Sequence, residues 1–245
     1  MNLIFLLTGH CFGDFVFQSG EMANKKLENK KTLFKHCAIY GASLFFVTVC
    51  FGNVFQVILF SSVIALTHLV IDFGRVFLEK RLAPNNRKGI FSLFVLDQFL
   101  HLITLALFAA ALPEPNFIGK HVRGLFHTYF HETTALNLSL IIFAYVLCSF
   151  PAGVFIKKLF ILWGFQKAEV GVESGYIIGI LERMCVLTLA LLGQYTAISF
   201  VIAAKSLARM EQFKQPDFAE KYLVGTLLSF LISLLSGIAI THLIN

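Results

Sequence analysis

Long apolar runs separated by short polar segments cover almost the whole chain. A helix that crosses a bilayer needs about 20 mostly apolar residues. Eight stretches are candidates: 2–19, 33–52, 54–78, 89–112, 136–162, 174–193, 195–209 and 221–243, the seventh being short. The sixth and seventh meet at Gly193-Gln194, and seven helices result if 174–209 is one broken element. Pro151 predicts a kink in the fifth, because its ring removes a backbone donor and clashes with the preceding turn. The expected fold is therefore all-α, a polytopic transmembrane helix bundle. It divides into an N-terminal membrane half (1–112), an extracytoplasmic loop (113–135) and a C-terminal membrane half (136–245).

Composition strengthens this reading. Hydrophobic residues make up 57% of the 245 and charged residues only 14%, against about 25% charged in a soluble domain. A water-facing globule is excluded. The net charge of +6 is too small and too scattered to argue for nucleic acid as a partner. The basic residues instead cluster between apolar runs: Lys25, Lys26, Lys30, Lys31 and Lys35 after the first, Lys80, Arg81, Arg87 and Lys88 after the third. Lys157, Lys158 and Lys167 follow the fifth, and Lys205, Arg209, Lys214 and Lys221 lie around the end of the seventh. With eight helices these sets share one side, which the positive-inside rule makes cytoplasmic. The expectation is a multi-pass protein of the cell (cytoplasmic) membrane, with membrane lipid as its surroundings and both termini extracytoplasmic. The first segment lacks a basic leader and is interrupted by His10 and Asp14, so it reads as a retained helix rather than a signal peptide. Cys11, Cys37, Cys50, Cys148 and Cys185 sit in apolar stretches and read as small buried hydrophobes, not as a disulfide framework.

The residues that resist this apolar background carry the chemistry. A charge at a helix centre costs about 2.5–3.5 kcal/mol on insertion scales, so such residues are functional candidates. Three of the four Asp lie inside predicted helices, each four positions from a His: His10 with Asp14, His68 with Asp72, and Asp97 with His101. Residues at i and i+4 share a helix face. His36 starts the second helix, and Gln18 and Gln98 lie close in sequence to these pairs. Imidazole and carboxylate together suit Zn, Mn, Fe or Co. The expected metal ligands are His10, Asp14, His68, Asp72, Asp97 and His101, holding one or two divalent ions, with His36 a further ligand or a general base. A proton relay and a purely structural His–Asp network remain the alternatives.

The second half carries a different set. Glu182 and Arg183 lie in the sixth predicted helix, Lys205, Ser206 and Arg209 end the seventh, and Glu220 and Thr226 open the eighth. Arg183, Lys205 and Arg209 could clamp a phosphate or another anion, with Glu182 and Glu220 orienting them. Snorkelling to headgroups and Glu–Arg bundle contacts are the blander reading. His121, His127, His131 and Glu132 in the loop read as part of an amphipathic interfacial segment. Walker, GxSxG, HExxH and dinucleotide motifs are absent.

The strings GHCFGDFVFQSGEMANKK, KHCAIY, THLVIDFGR and LDQFLHL, spread over roughly the first 105 residues, resemble an uncharacterised bacterial membrane family, domain of unknown function 3307. GYIIGILERM, KSLARM and EKYLVGTLLSF look like the C-terminal part of its longer members. The resemblance implies no settled activity. It singles out His10, Asp14, Gln18, Lys25, His36, His68, Asp72, Asp97, Gln98 and His101, and in the second half Glu182, Arg183, Lys205, Ser206, Arg209, Glu220 and Thr226.

The function expected from these residues is a membrane-embedded, metal-dependent hydrolase or transferase acting from the cytoplasmic side on a lipid-like or phosphate-bearing anionic substrate. His36, Arg183 and Glu182 are its candidate catalytic groups. Gln18, Lys25, Gln98, Ser206, Glu220 and Thr226 would support them. A metal-ion or proton-coupled transporter is the rival, and a membrane sensor or assembly factor ranks behind it. A homodimer stays open.

Overall fold

The computed structural model describes residues 2–49, 54–82, 86–111, 132–165 and 172–244. Cys50, Lys120, His121, Arg123, His127, His131 and Lys167 lie outside them, as does most of the loop 113–135. The described residues are helical, with no strand among them. Two compact units divide the chain, Met1–Phe143 and Ala144–Asn245.

In the first unit, α1 (Asn2–Cys11) runs directly into a π-helical turn, Phe12–Val16. A short α2 (Gly20–Lys25) follows, then α3 (Lys30–Thr48), α4 (Val54–Glu79) and α5 (Arg87–Ala111). α1 packs on α3 and α5, α3 on α4, and α4 on α5, so the four long helices close a ring. Leu6, Tyr40, Leu44, Ile64 and Leu105 fill one level of its interior. The helices approach closely because small residues face bulky ones. A Cβ built on Gly13 would lie 2.6 Å from Tyr40 Cδ2, nearer than carbon atoms can stand, and a tight 3.1 Å from Tyr40 Cα. Interior hydroxyls such as Ser43, Thr48 and Ser61 return their protons to carbonyls one turn back in their own helices, so these three groups do not depend on water.

The second unit contains the end of α6 (Glu132–Ser149), then α7 (Pro151–Leu162), α8 (Val172–Leu191), α9 (Tyr195–Ala208) and α10 (Pro216–Ile244). Pro151 does break the fifth predicted span, and α6 and α7 meet there. Between α8 and α9 the chain reverses and does not run on as one element. Gly193 takes φ +68°, Gly193 N–H donates to Ala190 O at 3.0 Å and Gln194 N–H to Leu189 O at 2.8 Å. These two bonds form the Schellman closure that a left-handed glycine permits. α8 and α9 then pack side by side, and α8 packs along α10.

Among the described residues, four helical segments are long and apolar enough to cross a membrane: Phe55–Glu79, Arg87–Ala111, Leu136–Leu162 and Pro216–Ile244. Asn2–Val16 and Tyr195–Ala208 are apolar but shorter. Large side chains such as Phe46, Phe55, Val70, Leu107 and Phe200 are mostly exposed. An outer surface of this kind suggests membrane insertion, since water disfavours extended apolar patches.

Candidate metal centre

The ring of α1, α3, α4 and α5 encloses polar side chains beside its apolar core. His10, His36, His68, Asp72, Asp97 and His101 are each no more than 3% exposed, and the Asp14 side chain is 6% exposed. Each position follows from local geometry. His36 and Tyr40 lie one turn apart on α3. His68, Asp72, Arg75 and Glu79 make one stripe along α4, and Asp97 and His101 lie one turn apart on α5. Asp14 sits in the π-helical turn, where the wider winding changes its bearing relative to His10. Such turns recur at functional sites.

The closest partners are not those that sequence spacing pairs. Asp14 Oδ2 is 3.7 Å from His10 Nδ1 on its own helix, but Asp14 Oδ1 is 3.3 Å from both His36 Nε2 and His68 Nε2. Asp72 Oδ2 is 3.4 Å from His36 Nε2 and 3.7 Å from His68 Nε2 in its own helix. The two imidazoles face each other with Nε2 atoms 3.1 Å apart. Four atoms from two helices, α3 and α4, and the π turn thus converge: Asp14 Oδ1, His36 Nε2, His68 Nε2 and Asp72 Oδ2. With one ring protonated at Nε2 and the other bare, the pair makes a single hydrogen bond; with both bare, the two lone pairs and two carboxylate oxygens form a donor set that suits one cation.

Neighbouring groups hold this constellation in place. The His68 ring is stacked between Tyr40 (centroids 3.7 Å apart) and His101 (4.3 Å). His10 lies beside Tyr40 Oη and Gln98 Oε1, both at 3.3 Å, so its two ring nitrogens have partners. Gln98 Nε2 donates to Asp97 Oδ2 at 3.0 Å, and Arg75 Nη1 lies 3.4 Å from the same oxygen. Arg75 is also within 3.4 Å of Glu79.

Residues 2–118 match the family described as "Protein of unknown function (DUF3307)". This segment is a DUF3307 domain. Its matched span takes in the whole polar cluster. No curated protein and no solved structure shows significant similarity to the chain.

The DUF3307 domain also recruits residues that sequence reasoning missed. Lys26, read there mainly as a topology charge, is buried and donates to Asp72 Oδ2 at 2.8 Å. Of the two adjacent lysines, Lys26 and not Lys25 reaches the cluster. Ser19 caps α2 by accepting from Met22 N–H at 3.1 Å, and the short helix turns Lys26 inward and Lys25 outward. Lys25 instead pairs with Glu21 in the open, which raises the lysine pKa and lowers that of the glutamate. Tyr40, Arg75 and Glu79 were also missed. Their one signal in the sequence is helical spacing from His36 and Asp72. Gln18 is partly exposed at the bend before α2 and donates no hydrogen bond to the cluster.

In the second unit the structure brings Glu182, Arg183, Lys205 and Thr226 around one small cavity, with Ser229 and Phe230. Their contacts count against an anion clamp. The break at Pro151 exposes the carbonyls of Cys148 and Ser149. Arg183 Nε donates to the first, Arg183 Nη2 reaches the second at 2.9 Å, and Nη1 reaches Ser229 Oγ at 3.5 Å. The guanidinium closes a helix break and spends three of its five N–H groups inside the fold. Lys205 is paired with Glu182 and lies 5.1 Å from the Tyr222 ring centre. Arg209 turns to Gln212 at 3.0 Å, Ser206 donates to Ile202 O at 2.9 Å, and Glu220 is exposed. The Thr226 and Tyr222 hydroxyls are buried without hydrogen-bond partners.

Proposed function

We propose that the DUF3307 domain binds a divalent metal ion through Asp14, His36, His68 and Asp72. On this reading the protein is a membrane-embedded, metal-dependent hydrolase or transferase whose substrate is lipid-like or phosphate-bearing. One observation carries the reading. Zinc bound by N and O ligands at about 2.0–2.1 Å has tetrahedral ligand–ligand edges of about 3.3 Å. Five of the six edges here measure 3.1, 3.3, 3.3, 3.4 and 3.7 Å. Two imidazoles and two carboxylates make zinc the first candidate, ahead of manganese and iron.

Charge supports the same reading. With neutral imidazoles, the carboxylates of Asp14, Asp72, Asp97 and Glu79 stand against two cations, Lys26 and Arg75. Two negative charges remain, and one divalent ion balances them. Four protein ligands would close this position, so polarising a substrate oxygen and acidifying a water molecule would need an open coordination place, by release of one ligand or at an adjoining position. The protein's own contribution is to hold the imidazoles rigid through stacking and to exclude solvent. The basic loops support a cytoplasmic-membrane location with the site reached from the cytoplasmic side.

A metal-free polar lock is the second reading, favoured by the Lys26–Asp72 ion pair, which already neutralises one carboxylate. Elemental analysis of detergent-purified protein separates the two. One equivalent or more of zinc, manganese or iron, lost in His36→Ala and in Asp72→Asn, supports the metal centre. Metal-free protein that also fails to bind added zinc overturns it.

A further inference from the structure

The arrangement around Asp72 extends beyond one ion. We infer that Asp72 bridges two metal ions, the second held by Asp97 and His101. This inference rests on the metal reading above and deepens it.

Asp72 directs its two oxygens at different neighbours. Oδ2 belongs to the tetrahedral group, while Oδ1 is turned towards His101 Nε2 at 4.0 Å. His101 Nε2 in turn is 3.5 Å from Asp97 Oδ1. Donor atoms of Asp72, Asp97 and His101 lie within 4.8 Å of one another. Two of them, Asp97 Oδ1 and His101 Nε2, are buried with no hydrogen-bond partner. Their closest ionic contact is with each other, a 3.5 Å pair that falls short of hydrogen-bond geometry, and a cation between them would satisfy both atoms better. The rest of Asp97 is fixed: its other oxygen takes Gln98 Nε2 at 3.0 Å and lies 3.4 Å from Arg75 Nη1. The free oxygen is thereby oriented towards His101. A carboxylate bridging ions about 3.5–4 Å apart is the arrangement of two-metal hydrolases.

The two positions differ in kind. The first has four protein ligands and is closed. The second has three and keeps a coordination position open, as catalytic sites do. It also lies beside Arg75 and Gln98, which are only partly buried, whereas the first is sealed by His36 and His68. A first ion neutralises the cluster, so a second leaves two positive charges in excess. The second therefore binds more weakly than the first, and an anion strengthens it. This places the anionic group of the substrate at the Asp97–His101 side.

The test is a metal titration of full-length, chelator-stripped protein in detergent, using Mn(II) and paramagnetic resonance. The wild type is expected to take up two equivalents in separable steps, with exchange-coupled spectra at saturation. Inorganic phosphate is expected to tighten the second step alone. Asp97→Asn and His101→Ala should each stop at one equivalent with an uncoupled signal. His36→Ala should weaken the first step, and Asp72→Asn should lose both. Asp97→Asn keeps the shape of the side chain and guards against misfolding; the wild-type stoichiometry decides even if every variant fails to fold. Saturation of the wild type at one equivalent, lost in His36→Ala, would overturn the bridge and leave the single-ion reading standing. No uptake at all would overturn both.

Discussion

Lys26 and the metal ion compete for the same carboxylate oxygen, and this gives a prediction with an unusual sign. Lys26 Nζ lies 2.8 Å from Asp72 Oδ2, with side chains 4% and 1% exposed. Removing one partner of such a buried pair costs about 3–5 kcal/mol, because the other charge is left uncompensated. In Lys26→Met the hydrocarbon stem is largely kept and only the charge is lost. The metal-free variant should therefore be less stable than the wild type by about that amount. Metal restores the missing positive charge at Asp72 Oδ2, so the loaded variant should recover most of the deficit. By linkage, the same free energy reappears as binding, and zinc should bind the variant about 100- to 4,000-fold more tightly than the wild type, since about 1.4 kcal/mol is a factor of ten. Thermal unfolding in detergent, with and without zinc, measures the first quantity, and competition against a chromophoric chelator measures the second. Equal destabilisation in both states, or weaker zinc binding in the variant, would refute the reasoning. Either result would mean that Lys26 stands where the ion was placed, as the cation of a metal-free lock.

Other outcomes follow from the same geometry. Gly13→Ala drives a methyl group into the Tyr40 ring and backbone, and overpacking of this kind costs about 1–3 kcal/mol; because Tyr40 stacks on His68, metal affinity should fall with the melting temperature. Arg183→Lys should destabilise the second unit, since a single ammonium cannot serve both carbonyls at the Pro151 break and each unsatisfied carbonyl costs about 1–3 kcal/mol. Thermal unfolding checks this, and an unchanged melting temperature with lost activity would return Arg183 to an anion-binding role. Lys25→Ala, on the exposed Glu21 pair, should leave both metal content and melting temperature unchanged, in contrast to any substitution of Lys26.

Much of the architecture is local and therefore legible in the chain. Apolar run length sets helix length, so the predicted spans 54–78 and 89–112 agree with Val54–Glu79 and Arg87–Ala111 to within a few residues. Pro151 marks a break because its ring cannot continue the hydrogen-bond ladder. Gly193 ends α8 because a left-handed residue is needed there, but the sequence alone left open whether the chain turned or ran on. The His–Asp pairs were equally visible, because i, i+4 spacing is a property of one helix.

What those pairs do was decided only by packing. Asp14 lies nearer to His36 and His68 than to His10, and Asp72 nearer to His36 than to His68, because the ring of helices sets distances that no single helix contains. The π turn changes the bearing of Asp14, and nothing in FGDFV announces it. Two adjacent lysines looked alike in the sequence, yet the short capped helix sends Lys26 into the cluster and Lys25 into the open. Arg183 had the depth of a functional residue, but only the folded unit shows the broken helix whose carbonyls it closes. The sequence by itself determined the helices and the stock of metal-type ligands, since both follow from local periodicity and side-chain chemistry. The tertiary structure decided which ligands meet, since that depends on which helices touch and on how each is turned.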